Sequence, residues 1–86
     1  MTTAADGILR QIIEIVAREL AVPAESLAAD TDLRAIEGAD SVRLLRVVAR
    51  AEQTWDIELD DEDVFTVSSV EQLATVVREA LQVRAA

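Results

Sequence analysis

The sequence predicts an all-α domain, a small four-helix bundle made of three main helices and one short one. Apolar residues recur at spacings of three and four in three separate segments, the period of a helix face. A single stretch alternates, Asp56-Ile57-Glu58-Leu59-Asp60, and a lone strand would have nothing to pair with. Eighty-six residues make one domain, so residues 1–86 are read as a single unit.

The first helix is expected over Asp6 to Leu20, where Ile8, Leu9, Ile12, Ile13, Val16 and Leu20 form one apolar face. Val22-Pro23 stops it, because the residue before a proline avoids the helical region. The polar connection from Ala24 to Asp40 is long for a compact domain. Leu27, Leu33 and Ile36 are expected to pin it to the core. The second helix starts at Ser41, with Asp40 as its N-cap and in reach of Arg43 across the first turn. Val42, Leu45, Val48, Ala49 and Glu52 or Trp55 are expected to trace its inner side, and Arg43, Arg46 and Arg50 the other. The alternating stretch reads as an extended loop anchored by Ile57 and Leu59, and Asp61 to Phe65 as one short helical turn. Ser69 with Gln72 three residues on is a capping box for the last helix. Val70, Leu73, Val76, Val77, Ala80 and Leu81 carry its period, and Gln82 to Ala86 should fray. Ile13, Leu45, Val48 and Leu73 are the expected central contacts.

Composition removes several functions. Eight basic residues against seventeen acidic ones give a net charge of −9, a surface that repels nucleic-acid phosphates. The chain has no His and no Cys, and so lacks the usual neutral-pH base, the thiol nucleophile and most metal ligands. Catalysis by the chain alone is not expected. Hydrophobic residues at 51% rule out a disordered acidic tail. Neither a signal peptide nor a membrane span is legible, which predicts a monomeric cytoplasmic protein with no membrane partner. The acidic run at 60–63 lacks the alternating ligands and central glycine of a calcium loop, as does Asp30-Thr31-Asp32.

The specific signal is Gly38-Ala39-Asp40-Ser41-Val42, with a loop before it and an amphipathic helix after it. Asp32-Leu33 lies upstream, Trp55-Asp56-Ile57-Glu58-Leu59 follows the second helix, and Val67-Ser68-Ser69-Val70 opens the last. Over roughly Asp30 to Val77 this pattern resembles the acyl and peptidyl carrier proteins. That resemblance implies a four-helix bundle with 4′-phosphopantetheine joined covalently to Ser41, and Asp40 and Gly38 as part of the attachment motif. The residues agree with it. A serine at a helix N-terminus sits where free N–H groups and the helix dipole favour an anion. No His or Lys is near to activate Ser41, so another enzyme must modify it. Gly38 can supply a positive φ and close backbone approach ahead of the helix.

The resemblance also implies partners: a phosphopantetheinyl transferase, and acyl-loading or acyl-accepting enzymes such as a ligase, acyltransferase or ketosynthase. Val42 stands where the family contacts partner enzymes. The exposed side of the second helix departs from the family, carrying Arg43, Arg46 and Arg50 where acids are usual. This makes Val42, Arg43, Arg46 and Arg50 the expected recognition residues. With Ala39 where peptidyl carriers often have a second glycine, the arginine face points to a specialised polyketide or hybrid pathway and antibiotic-type products. A peptidyl or aminoacyl carrier, and an unmodified acidic helical interaction domain, remain open alternatives. A chain opening on Met1 reads as freestanding, though a domain cut from a larger synthase would look the same.

Overall fold

The computed structural model describes residues 4–85. Four helices follow in order: α1 (Ala4–Leu20), α2 (Ser41–Trp55), α3 (Asp61–Thr66) and α4 (Val70–Ala85). Two 3-10 turns, Ala24–Ser26 and Leu33–Ala35, interrupt the long connection between α1 and α2. Among the described residues there is no strand, only an isolated antiparallel bridge between Asp32 and Ser69. The alternating 57–60 segment is an extended loop, as expected, with Ile57 buried and Leu59 half-buried.

The core is aliphatic. Ile8, Ile12, Val16 and Leu20, each four residues on from the last, bury one face of α1 against α4 and α2. Val70, Leu73, Ala74 and Val77 come from α4, and Leu27, Leu33, Ile57 and Val67 close the ends. Among the described residues no polar or charged residue is wholly buried, but the Nε of half-buried Arg78 on α4 is enclosed with no hydrogen-bond partner, a desolvation cost at the edge of the core. Leu27 and Leu33 do pin the long connection, with Ile36 packed beside them.

Helix α2 corrects the expected face. Val47 and Ala51 are buried and Leu44 and Trp55 pack partly against the core, while Val42 and Leu45 are 62% and 60% exposed. Ala49 is exposed and Val48 only half-buried. Two stripes at helical spacing compete on this helix, and the physical difference lies at its end. The expected stripe reaches Glu52, whose carboxylate would be costly to bury. The observed one reaches Ala51, which packs tightly, and leaves Glu52 half-buried with Oε2 accepting the Leu59 N–H at 2.9 Å. Ile13, expected at the centre, is also only half-buried, whereas Leu73 is central as expected.

Helix ends explain the connections. Ala21 follows α1 with φ 58°, and the Val22 N–H donates to the Ala17 carbonyl at 3.0 Å. Asp56 repeats this after α2, with φ 54° and Ile57 N–H on the Glu52 carbonyl at 3.0 Å. Both are left-handed C-terminal caps, normally the place of glycine. Ala21→Gly should therefore stabilise the fold by about 0.5–1 kcal/mol, read as a higher urea midpoint with unchanged slope. At the start of α4 the Ser69 hydroxyl oxygen accepts the Gln72 N–H at 3.1 Å, as the capping box predicts. The Gln72 side chain reaches one residue further back, accepting from the N–H and hydroxyl of Ser68 at 2.7 and 2.8 Å. The carbonyls of Thr31 and Ala29 accept the Val70 and Glu71 N–H groups at 3.1 and 2.8 Å, so the long connection caps α4. Helix α4 continues to Ala85, so fraying from Gln82 does not interrupt its backbone; Ala86 lies outside the described residues.

A chain of net charge −9 on so small a surface repels itself. Raising salt from about 10 mM to about 150 mM shortens the Debye length from about 30 to about 8 Å. The melting temperature at pH 7 should rise over that range. An unchanged value would show that local pairing already balances the repulsion.

Candidate functional site

The site is built by a turn and a helix start. The Ala39 N–H donates to the Ile36 carbonyl at 3.0 Å, and Gly38, third of the four turn residues, has φ +85°. That is the pattern of a type II turn, where glycine is favoured. A Cβ at Gly38 would meet no atom of the chain within 4 Å, so within the fold the glycine is needed for its dihedral angle and not for space. Asp40 follows in an extended conformation (φ −140°, ψ 175°), and its Oδ1 accepts the Arg43 N–H at 2.8 Å. Asp40 is thus the N-cap, as expected, and Ser41 is the first residue of α2.

Ser41 is exposed and its hydroxyl makes no hydrogen bond among the described residues. The other serines are all engaged. Ser26 Oγ donates to the Pro23 carbonyl at 2.7 Å, Ser68 Oγ to Gln72 Oε1, and Ser69 Oγ accepts from the Gln72 N–H. The first intrahelical bond of α2 is Leu44 N–H to the Asp40 carbonyl, at 2.9 Å. With Arg43 capped, the Ser41 and Val42 N–H groups at the positive end of the dipole are left to face an anion. A phosphodiester on Ser41 fits this arrangement.

Ser41 also lies on the edge of an apolar cleft of about 310 Å³ between α2, α3 and the connection. Leu44, Leu45, Val48, Val64 and Phe65 line it, and Leu73 is at its floor. Arg34 is the single charged residue of its lining, and its Nη2 donates to the Phe65 carbonyl at 3.3 Å, tying α3 to the connection. Phe65 is 77% exposed at the mouth. Sequence reasoning did not assign Arg34 or Phe65 to the site. Neither has a local motif; only the approach of α3 to α2 brings them there.

The arginines of α2 are exposed, as expected, but they do not act as one stripe. Arg50 Nε lies 3.6 Å from Glu19 Oε2, and Arg43 Nη1 donates to the Glu19 carbonyl at 3.5 Å. Both turn toward the C-terminal end of α1, where a cation also meets the negative end of that helix. The side-chain pairing of Arg43 with Asp40 does not form, since Asp40 takes the Arg43 backbone N–H instead. Arg46 makes no hydrogen bond or ion pair among the described residues. It lies one turn on from the exposed Val42 and directly after the exposed Leu45.

A family model described as a phosphopantetheine attachment site matches residues 10–77. The chain is 33% identical over 79 residues to "Acyl carrier protein 3" of Ralstonia nicotianae, covering 92% of this chain and 91% of that protein. It is 29% identical over 63 residues to "Acyl carrier protein" of Syntrophobacter fumaroxidans, covering 73% and 78%. Among the described residues no helix is long and apolar enough to cross a membrane.

Proposed function

The chain belongs to the phosphopantetheine-bearing acyl carrier protein family, and from that premise we propose that Ser41 carries the arm and that the cargo belongs to a specialised, polyketide-type pathway. Acyl carrier proteins are carriers and not enzymes, and they serve a phosphopantetheinyl transferase and acyl-handling enzymes as substrates. The prosthetic group is 4′-phosphopantetheine, covalently bound. Its terminal thiol supplies the thioester chemistry that this cysteine-free chain lacks.

The observation that carries the assignment is the free Ser41 hydroxyl at the start of α2, set against three engaged serines. The chain's own residues position the group and do not activate it. Asp40 is occupied by the Arg43 N–H, and no His or Lys exists to take the serine proton. The transferase must therefore bring its own base. Once joined, the phosphate would gain about 0.3–1 kcal/mol from the helix N-terminus. The cleft beside Ser41 offers an apolar cargo shelter from water. Arginine in place of acid on the exposed side of α2 supports the specialised pathway over housekeeping fatty-acid synthesis, and Ala39 favours an acyl over a peptidyl carrier.

Partner recognition is assigned to Val42 and Arg46, with Leu45 joining them. Arg43 and Arg50 are held toward Glu19 and contribute less. A ligase, acyltransferase or ketosynthase that docks beside the arm should then offer carboxylates around an apolar contact. Arg46→Glu should leave folding within about 0.5 kcal/mol and slow transfer by the cognate enzyme at low salt, with the difference closing at high salt. Equal rates at low salt would make Arg46 a solvated residue and pass recognition to Val42 and Leu45.

Intact mass after co-expression with a broad-specificity phosphopantetheinyl transferase tests the carrier reading, the expected result being a mass gain absent from Ser41→Ala. No Ser41-dependent gain would leave an acidic interaction domain on a carrier fold. The mass of the loaded protein recovered from its native host then reads the cargo, and an aminoacyl mass would overturn the polyketide assignment.

A further inference from the structure

We propose that the open groove between the 57–60 segment and α4 is a second docking surface, one that takes a cationic amphipathic helix of a partner protein. The groove encloses about 690 Å³, and Ile57, Leu59, Val76, Ala80 and Val83 supply its apolar surface. Asp56, Glu58, Asp60, Asp63 and Glu79 supply five carboxylates, and among the described residues no arginine lines it. It lies apart from the Ser41 cleft and shares no lining residue with it.

Charge and shape select the occupant. Five carboxylates around one groove, on a chain already at −9, repel each other and any anionic lipid or nucleic acid. A cationic partner relieves that repulsion. The apolar floor asks for more than charge: Val83 is 79% exposed, and Val76, Ala80 and Val83 stand at i, i+4 and i+7 along α4. That spacing forms a ridge against which a second helix packs through its own i, i+3, i+4 and i+7 anchors. A lone divalent cation does not fit, since no group of carboxylates among the described residues is arranged to hold a metal. A small organic ligand would be left largely open to solvent, whereas a helix about 10 Å across covers the floor and brings basic side chains to the rim.

The position gives the groove its use, and this part rests on the carrier reading. Ser41 begins α2 and Asp56 follows its last residue, so the 15 residues of the helix, about 22 Å, separate the two ends. A partner held in the groove leaves the Ser41 end open. The carrier can then be retained by one protein while its arm is served by another, which raises the effective concentration of cargo for a weakly docking enzyme.

The test uses the full-length unmodified chain and a capped 14-residue peptide of Leu and Lys, with Leu at i, i+3, i+4 and i+7. Amide shifts on titration should concentrate in 56–60 and 76–83. The double variant Glu58→Gln/Asp60→Asn, and separately Val83→Ser, should each weaken binding about tenfold. Glu14→Gln/Glu25→Gln, which removes the same charge at exposed sites outside the groove, should change it less than about twofold. Equal losses from the two double variants would reduce the interaction to general charge attraction and overturn the proposal. Shifts centred on Val42, Leu45 and Phe65, or no binding, would overturn it as well. Because the peptide is mapped on the unmodified protein, failure of Ser41 to accept the arm would sink the carrier reading and leave this result standing.

Discussion

Ile12→Ala is expected to cost about 2–5 kcal/mol, the range for truncating a buried aliphatic side chain that leaves a cavity. Ile12 is 0% exposed in the middle of the α1 face that packs on α4 and α2. A domain of this length holds about 4–13 kcal/mol in total, so the loss is a large share of its stability. Leu73→Ala, at 1% exposure on α4, should fall in the same range. Leu45→Ala should cost under about 1 kcal/mol despite removing the same atoms as Leu73→Ala, because Leu45 already stands 60% in water. Urea melts of the three variants at constant slope make the comparison. A Leu45→Ala loss as large as that of Ile12→Ala would put the Val42–Leu45–Val48 stripe inward and reverse the rotation of α2.

That pair of residues marks the boundary of what the sequence shows. Helix α1 was legible because its apolar residues form one stripe, with charges filling the opposite side. Helix α2 was ambiguous because Val42, Leu44, Leu45, Val47, Val48, Ala49 and Ala51 spread over well more than half of its circumference, leaving only the arginine side clear. Period alone does not choose between stripes there; the cost of burying Glu52 against the ease of burying Ala51 does. The caps were legible for a similar reason, since Asp40 and Ser69 act within three residues of their own position. Gly38 was legible as a turn residue but not as one with open space beside it. Nothing local announced that Thr31 and Ala29 would cap α4, or that Glu19 would draw Arg43 and Arg50 toward α1. Those contacts join residues far apart in the chain and exist only after the bundle has packed. The Ser41 cleft has the same origin, because Phe65 and Arg34 reach it through α3 and the connection.

Ser41→Ala is expected to abolish attachment of the arm while leaving the fold intact, and Asp40→Ala to weaken the fold by about 0.5–2 kcal/mol. The two residues are neighbours, yet the structure gives them different work. Asp40 Oδ1 holds the Arg43 N–H at 2.8 Å, one of the orphan donors of the first turn, and alanine cannot replace that bond. Ser41 is exposed, makes no hydrogen bond among the described residues, and occupies a position where alanine is a better helix former. Its removal should change stability by no more than about 0.5 kcal/mol. Intact mass and a urea melt on each variant read the two properties separately. A mass gain that survives Ser41→Ala would move attachment to Ser26, Ser68 or Ser69, each of which would first have to give up a hydrogen bond. A stability loss in Ser41→Ala equal to that in Asp40→Ala would mean that Ser41 itself caps α2, with the helix starting one residue later. Modification lost and stability kept in Ser41→Ala, with stability lost in Asp40→Ala, is the combination that assigns the serine to chemistry and the aspartate to structure.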